Sequence, residues 1–99
     1  MVEHRHVLHE LKTSIGYFAA ILSGQKTYEL RRNDRNFAVG HLILLREWHS
    51  VGRMYTGRAV LVRVVHMLCP SPELGLKQGY CVMGFERVAE VVSPSTKGK

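Results

Sequence analysis

The sequence predicts a small α+β domain in which five strands curl into a barrel together with one early helix. A chain of 99 residues has room for one domain with one modest core. Hydrophobic residues make up 45% of it and charged residues 22%, which is the balance of a globular protein rather than a disordered one. Five apolar or alternating runs follow one another, and a single helical pattern lies between the first two. Closure into a barrel removes the exposed edges that such strands otherwise present.

The first two elements are a short strand and the helix. The strand is predicted at Val7 to Lys12, and Thr13 or Ser14 offers an N-cap oxygen to the helix that follows. The helix is predicted over residues 14–23, where an apolar stripe has the spacing i, i+3, i+4, i+7. This stripe consists of Ile15, Phe18, Ala19 and Leu22. Gly24 is placed to end the helix in the left-handed conformation.

Four further strands are predicted after the helix, at residues 26–32, 41–48, 58–68 and 80–88. The third of them is rich in β-branched residues, and Val60, Val62 and Val64 share one of its faces. His66 follows on that face and is predicted to be a core histidine. Trp48 ends the second of these strands and is predicted to plug one end of the barrel.

The predicted domain covers residues 6–90, between a flexible N-terminus at 1–5 and a flexible basic tail at 91–99. No apolar stretch reaches the ~20 residues that span a bilayer, and the N-terminus lacks the apolar run of a signal peptide. We therefore expect a cytoplasmic protein with no membrane partner. The two cysteines and six histidines lack the spacing of a metal site, so reduced thiols and no metal or other cofactor are expected.

The charge balance favours an anionic partner. The chain carries 14 Lys and Arg residues against 8 Asp and Glu residues, which gives a formal net charge of +6 and a pI of about 9.8. A basic domain of this kind fits RNA or a nucleotide-like ligand. Charge alone is a mild indication, because many small basic proteins bind neither.

Lys26, Glu29 and Arg31 lie within six residues of one another, at the start of a predicted strand. Glu29 and Arg31 share a strand face, because side chains on a strand repeat every two residues. An arginine offers a planar fork to phosphate or a base edge, a lysine offers a point charge, and a glutamate accepts from an exocyclic amine. The alternative interpretation is a solvated ladder of ion pairs on an exposed strand face.

Four segments carry a resemblance to a known family: His9–Lys12, Ser23–Arg35, Val39–His41 and Gly79–Met83. The central one reads G-x-K-T-x-E-x-R-x-N-D-R and is the most specific. Together they resemble the DUF3850 family, which belongs to the ASCH domains of the PUA-like superfamily, over roughly residues 6–88. The resemblance implies a PUA-like β-barrel with a cleft beside the early helix, and a function in binding RNA or modified nucleotides.

The resemblance favours the site interpretation of the charged segment. The residues expected to bind RNA or a nucleotide-like ligand are His9, Lys12, Lys26, Glu29, Arg31, Asn33, Arg35 and Tyr80. His9 and Lys12 have surface roles as their alternative, and Tyr80 either stacks on a base or lies half in the core. Asn33 and Arg35 are expected at the mouth of the cleft, in a turn that Asp34 helps to form.

Some ASCH proteins are amidohydrolases that remove the acetyl group of N4-acetylcytidine with a lysine, a threonine and a glutamate. Lys26 matches that lysine, but Glu29 stands where the threonine belongs, and a carboxylate cannot replace a hydroxyl nucleophile in the same way. Thr27 does not stand at the position of the family's threonine, and Glu73 does not align with the family's glutamate.

The resemblance thus favours a binding domain over an enzyme. If the chain is an enzyme after all, Lys26 and Glu29 are its catalytic candidates. A third alternative is a module that binds another protein and no nucleic acid.

Overall fold

The computed structural model describes residues 7–69 and 72–92, in which one five-stranded sheet is joined by one α-helix. The elements are β1 (Leu8–Ser14), α1 (Ile15–Leu22), β2 (Tyr28–Arg32), β3 (Leu42–His49), β4 (Met54–Leu68), a 3₁₀ helix (Pro72–Leu74) and β5 (Tyr80–Val92). The predicted order of one strand, one helix and four strands is confirmed. Residues 1–6 and 93–99, which include the expected flexible N-terminus and most of the expected tail, lie outside the described residues.

Two strands are longer than the sequence predicts. β4 starts at Met54 rather than Arg58, because Met54 pairs with His49 across the turn that joins β3 to β4. β5 continues to Val92, past the predicted domain boundary at residue 90, because its last residues pair with the start of β4. Each extension follows from a partner strand, which no local pattern of residues reveals.

The sheet has the strand order β1-β3-β4-β5-β2. β3, β4 and β5 are antiparallel neighbours, β2 adds antiparallel to β5, and β1 adds parallel to β3. β1 and β2 therefore form opposite edges of the sheet, and no backbone register joins them within the described ranges. The predicted barrel is present in part, as a half-barrel whose open side lies between β1 and β2.

The core fills the inner face of the half-barrel. Its buried members are Leu11, Phe18, Ile21, Phe37, Ile43, Leu45, Val60, Val62, Val64, Cys81, Met83 and Phe85. The predicted burial of alternate valines on β4 is confirmed. Helix α1 contributes Phe18 and Ile21, whereas two members of the predicted stripe are exposed, Ile15 (41%) and Ala19. Since α1 follows β1 without a loop, its first turn lies at the edge of the sheet and Ile15 faces away from the core.

Two smaller predictions, a buried His66 and a side-chain cap on α1, are wrong. His66 is exposed rather than buried, because the pairing of β4 with β5 shifts register between Val64 and His66. Such a bulge reverses the alternation of side chains along the strand. Ser14 is the N-cap residue of α1, but its side chain makes no capping hydrogen bond. Gly24 ends the helix as predicted, with φ of 84°.

Candidate functional site

A cleft of about 450 Å³ lies in the open side of the half-barrel, beside the early helix. One wall is formed by residues 11–14 of β1 together with Tyr17 of α1. The other wall is formed by residues 29–32 of β2 and by Asp34, Arg35, Phe37 and Tyr80. The cleft is therefore the gap that remains because β1 and β2 do not pair in this part of the chain.

A second cavity of about 200 Å³ adjoins the cleft. It is lined by Tyr17, Lys26, Tyr28, Glu29 and Leu30. Tyr17, Glu29 and Leu30 also line the cleft, so the two spaces share a wall. A ligand in the cleft therefore lies next to the groups that line the smaller cavity.

Lys26 and Glu29 form a buried ion pair in that shared region. Lys26 is 9% exposed and Glu29 is 6% exposed. The Lys26 ammonium donates to Glu29 Oε1 at 3.2 Å and to the Tyr28 carbonyl at 2.6 Å, while Arg31 Nε donates to Glu29 Oε2 at 2.6 Å. One carboxylate thus compensates two cations. The alternative of a solvated ion-pair ladder is wrong for Lys26 and Glu29, because both side chains are buried.

The end of α1 positions Lys26. Its backbone N–H donates to the Ala20 carbonyl at 3.0 Å, in the turn that closes the helix. The side chain then extends along the start of β2, where its ammonium lies 4.7 Å from the ring centre of Tyr28 and 5.2 Å from that of Tyr17. Two aromatic rings and one carboxylate therefore surround a single ammonium group.

Arg31 and Arg35 form an arginine bridge across the open side. Arg35 Nη1 donates to the Glu10 carbonyl at 2.7 Å, and Arg31 Nη2 donates to the Lys12 carbonyl. Both carbonyls belong to β1, which pairs only with β3 among the described strands. Edge strands present unpaired carbonyls, so the two guanidinium groups satisfy acceptors that the sheet leaves open. They also hold the second wall of the cleft against the first.

Cationic side chains outnumber carboxylates in the cleft. The charged residues of its lining are Lys12, Arg31, Arg32 and Arg35 against Glu29 and Asp34. Two tyrosines add aromatic surface: Tyr17 is exposed, and the Tyr80 ring centre lies 5.3 Å from the guanidinium of Arg32. The arrangement can hold a phosphate, pair with a polar base edge and stack on a ring.

The structure brings together six of the eight predicted site residues, which line the two cavities: Lys12, Lys26, Glu29, Arg31, Arg35 and Tyr80. His9 and Asn33 are not among the lining residues. Asn33 has a structural role instead, since its Oδ1 accepts the backbone N–H of Phe37 at 3.0 Å. His9 lies on β1 and contacts His41.

Thr13 and Tyr17 line the cleft but were not among the predicted site residues. Thr13 is buried, and its hydroxyl has no hydrogen-bond partner among the described residues. Its place before α1 predicts a helix-capping role for Thr13 or Ser14 instead. The period of two that places Leu11 in the core also places Thr13 on the inner face, and that signal identifies it. Tyr17 carries no such signal, because its position depends on how α1 packs.

His9 and His41 form a contact that is sensitive to protonation. His9 Nε2 lies 3.0 Å from His41 Nδ1, and the ring centres of His9 and Phe37 are 4.6 Å apart. One ring must donate and the other accept, so the contact needs at least one nitrogen without a proton. Burial lowers the pKa of His9 below its ordinary value of 6.5, and the nearby His41 and Arg35 lower it further.

We expect the protein to lose stability as the pH falls below His9's ordinary pKa of 6.5. In that range the unfolded chain binds a proton at His9 that the folded chain does not, so acidification favours unfolding. Urea unfolding midpoints measured between about pH 8 and 5.5 check this, with His9→Gln as the comparison. His9→Gln should lose less stability than the parent over this interval. An equal loss in both proteins contradicts the assignment to His9.

The described residues contain no helix long and apolar enough to cross a membrane. Within the same ranges, no three His, Cys, Asp or Glu side chains form a group that can hold a metal ion. Cys81 is buried in the core and Cys69 is exposed, and both are free thiols.

The comparisons with known proteins identify relatives without a known activity. A family model described as a domain of unknown function, DUF3850, matches residues 8–85. An uncharacterised 12.9 kDa protein in the GpA 3′ region of Escherichia phage P2 is 40% identical over 57 residues. That match covers 58% of this chain and 50% of the phage protein, so the chain spans about half the length of this relative.

Proposed function

The chain belongs to the DUF3850 family, and we propose that its cleft binds a nucleotide unit of RNA or a nucleotide-like ligand. The observation that carries the proposal is the lining of one cleft by four cationic side chains, a buried carboxylate and two tyrosine rings. Each kind of group has a counterpart in a nucleotide, which combines a phosphate, a polar base edge and an aromatic face.

The arginines supply the phosphate contacts in this proposal. Arg35 donates one N–H to the Glu10 carbonyl. Because a guanidinium group has five N–H donors, others remain for a phosphate. Arg32 is exposed beside Tyr80, and Lys12 is exposed on the opposite wall. A phosphate between the walls therefore meets planar forks on one side. On the other side the Lys12 ammonium, which lies 3.9 Å from the Trp48 ring centre, can turn from that ring to add a point charge.

The buried groups supply contacts to the base. The Lys26 ammonium has three N–H bonds, of which two are used by the Tyr28 carbonyl and Glu29. Glu29 can accept from an exocyclic amine such as that of cytosine, and Tyr17 offers a ring face at the shared wall of the two cavities.

The ASCH and PUA-like classification and a cytoplasmic location belong to the same proposal. The five-stranded half-barrel with one early helix beside the cleft supports this classification. The formal charge of +6 supports a polyanionic partner.

The test is a backbone-amide NMR titration with cytidine monophosphate at low and moderate salt. We expect shifts confined to the two walls of the cleft, at residues 11–17, 29–35 and 80. Arg35→Gln should weaken binding roughly tenfold, because it removes a charge-assisted hydrogen bond to phosphate. Arg63→Gln is the matched control, since Arg63 pairs with Glu86 on β4 and β5 and is not among the lining residues of either cavity.

Three results overturn the proposal. The first is the absence of any shift, and the second is a scatter of shifts over the basic surface that disappears with salt. The third is equal affinity in the Arg35 and Arg63 variants. Charge reversal at Lys26 is unsuitable as a test, because a carboxylate there would be buried against Glu29 and would unfold the site.

A second candidate function is hydrolysis of a modified nucleoside such as N4-acetylcytidine. The observation that favours it is the buried contact of Lys26 with Glu29 at 3.2 Å in the wall of a cavity, since desolvated pairs of this kind can transfer protons. Incubation with N4-acetylcytidine distinguishes the two functions. Acetate release that is lost in Lys26→Met supports the enzyme, and binding without acetate release supports the binding domain.

A further inference from the structure

A second surface of cations and aromatic rings lies on the outer face of the sheet. We call this surface the outer patch. It consists of Lys12 of β1, Arg46 and Trp48 of β3, and Tyr55 of β4. Trp48 and Tyr55 are register partners whose ring centres lie 4.9 Å apart, edge to face. The Arg46 guanidinium lies 3.7 Å from the Tyr55 ring centre, and the Lys12 ammonium lies 3.9 Å from that of Trp48.

The alternation of β3 places this patch outside the half-barrel. Ile43, Leu45 and Glu47 are buried on the inner face, so Arg46 and Trp48 point away from the core. Trp48 is half-buried on the outer face and does not plug an end of the barrel. Amphipathic rings on an outer sheet face, each contacted by a cation, form the kind of platform on which bases of a single strand stack.

Lys12 joins the outer patch to the cleft. It lies among the lining residues of the cleft, and its ammonium is also over the Trp48 ring. The side chain is exposed, so it can exchange the indole face for a phosphate without disturbing the core. A ligand that leaves the cleft past Lys12 therefore reaches Trp48 and then Tyr55.

We propose that the partner is a single-stranded RNA segment of several nucleotides, which runs from the cleft over Lys12 onto Trp48 and Tyr55. This inference rests on the proposed function and adds the class of partner, an oligonucleotide rather than a free mononucleotide. Charge complementarity supports it, because Glu10 is the one carboxylate that contacts the patch among the described ion pairs, at 3.5 Å from Arg46. Each base that stacks on a ring adds about tenfold in affinity.

The single tryptophan of the chain makes the inference measurable. We would titrate the full chain with cytidine monophosphate and with oligocytidylates of two to about eight nucleotides, following the fluorescence of Trp48. The octamer should quench this fluorescence and bind roughly tenfold or more tightly than the mononucleotide, which reaches only the cleft. Because affinity in the cleft is measured with the mononucleotide, the two proposals can fail separately.

Variants of the outer patch give a second readout, from the anisotropy of a labelled octamer. Trp48→Leu should weaken octamer binding roughly tenfold, and Trp48→Phe should retain most of it, because a ring remains for stacking. Neither change should affect the mononucleotide. If Trp48→Leu fails to fold, the exposed Tyr55 allows the same comparison through Tyr55→Leu. Arg63→Gln again serves as the control for a charge lost elsewhere on the sheet.

Equal affinity for monomer and octamer, with unchanged Trp48 fluorescence, would overturn this inference and leave the proposed function standing. An octamer whose affinity is the same in Trp48→Leu as in the parent has the same consequence. If neither ligand binds, both the inference and the proposed function are wrong.

Discussion

Glu29→Gln is expected to lower the free energy of unfolding by about 3 kcal/mol, because it leaves a buried ammonium without its carboxylate. The Lys26 side chain is 11% exposed, and Glu29 is its one ion-pair partner among the described residues. A neutral amide keeps the shape of the site and can still accept a hydrogen bond, but it cannot compensate the charges of Lys26 and Arg31. Urea unfolding at neutral pH without ligand measures the loss.

A second ion pair on the same sheet tests whether burial or a short distance accounts for the stabilising effect of the Lys26–Glu29 pair. Arg63 and Glu86 lie 2.8 Å apart, closer than Lys26 and Glu29, but their side chains are 45% and 55% exposed. Glu86→Gln should therefore cost less than about 1 kcal/mol. If both substitutions cost the same, the buried pair does not stabilise the fold in the way described. Adding Lys26→Met to Glu29→Gln should recover part of the loss, because it removes the uncompensated charge.

Phe18→Ala is expected to lower the free energy of unfolding by about 3–5 kcal/mol, since it removes a fully buried aromatic ring from the core. The loss combines the transfer of that ring from water with the cavity that it leaves. Phe18 and Ile21 together fix α1 to the inner face of the sheet, so the helix wall of the cleft depends in part on Phe18. Thermal or urea unfolding measures this change.

The control for Phe18 is Ile15→Ala, three residues earlier on the same helix. Both residues belong to the apolar stripe that the sequence predicts, but Ile15 is 41% exposed. Its truncation should cost less than about 1 kcal/mol, as is usual for exposed positions. A loss as large as that of Phe18→Ala would mean that α1 buries the face predicted from the sequence.

Local patterns predicted the parts of the fold that depend on local periodicity. The alternation of Val60, Val62 and Val64 identifies the buried face of β4, and Gly24 identifies the end of α1. His66 departs from the alternation along β4 because a bulge lies before it, and a bulge depends on the register with another strand. Ile15 breaks the helical stripe because the start of α1 lies at a sheet edge, which is a property of the tertiary structure.

The same distinction applies to the candidate site. Lys26, Glu29, Arg31 and Arg35 lie in one continuous segment, so their proximity could be inferred from spacing. Thr13 and Tyr17 reach the cleft from β1 and α1, and their approach depends on the parallel pairing of β1 with β3. The segment from 26 to 35 and Lys12 predict most of the charged lining of the candidate site, whereas the contributions of Thr13 and Tyr17 follow only from the topology.

The strand order has a consequence for the folding pathway. β3, β4 and β5 are consecutive neighbours, so their contacts close over comparatively short loops, whereas β1 must wait for β3 and β2 must wait for β5. The three-stranded meander is therefore the part that can form early, and the two edge strands dock late. Since the cleft lies between those edge strands, a chain in which only the meander has formed has no binding site. A ligand of the cleft then recognises only the completed fold, and its binding energy adds directly to the stability of that state.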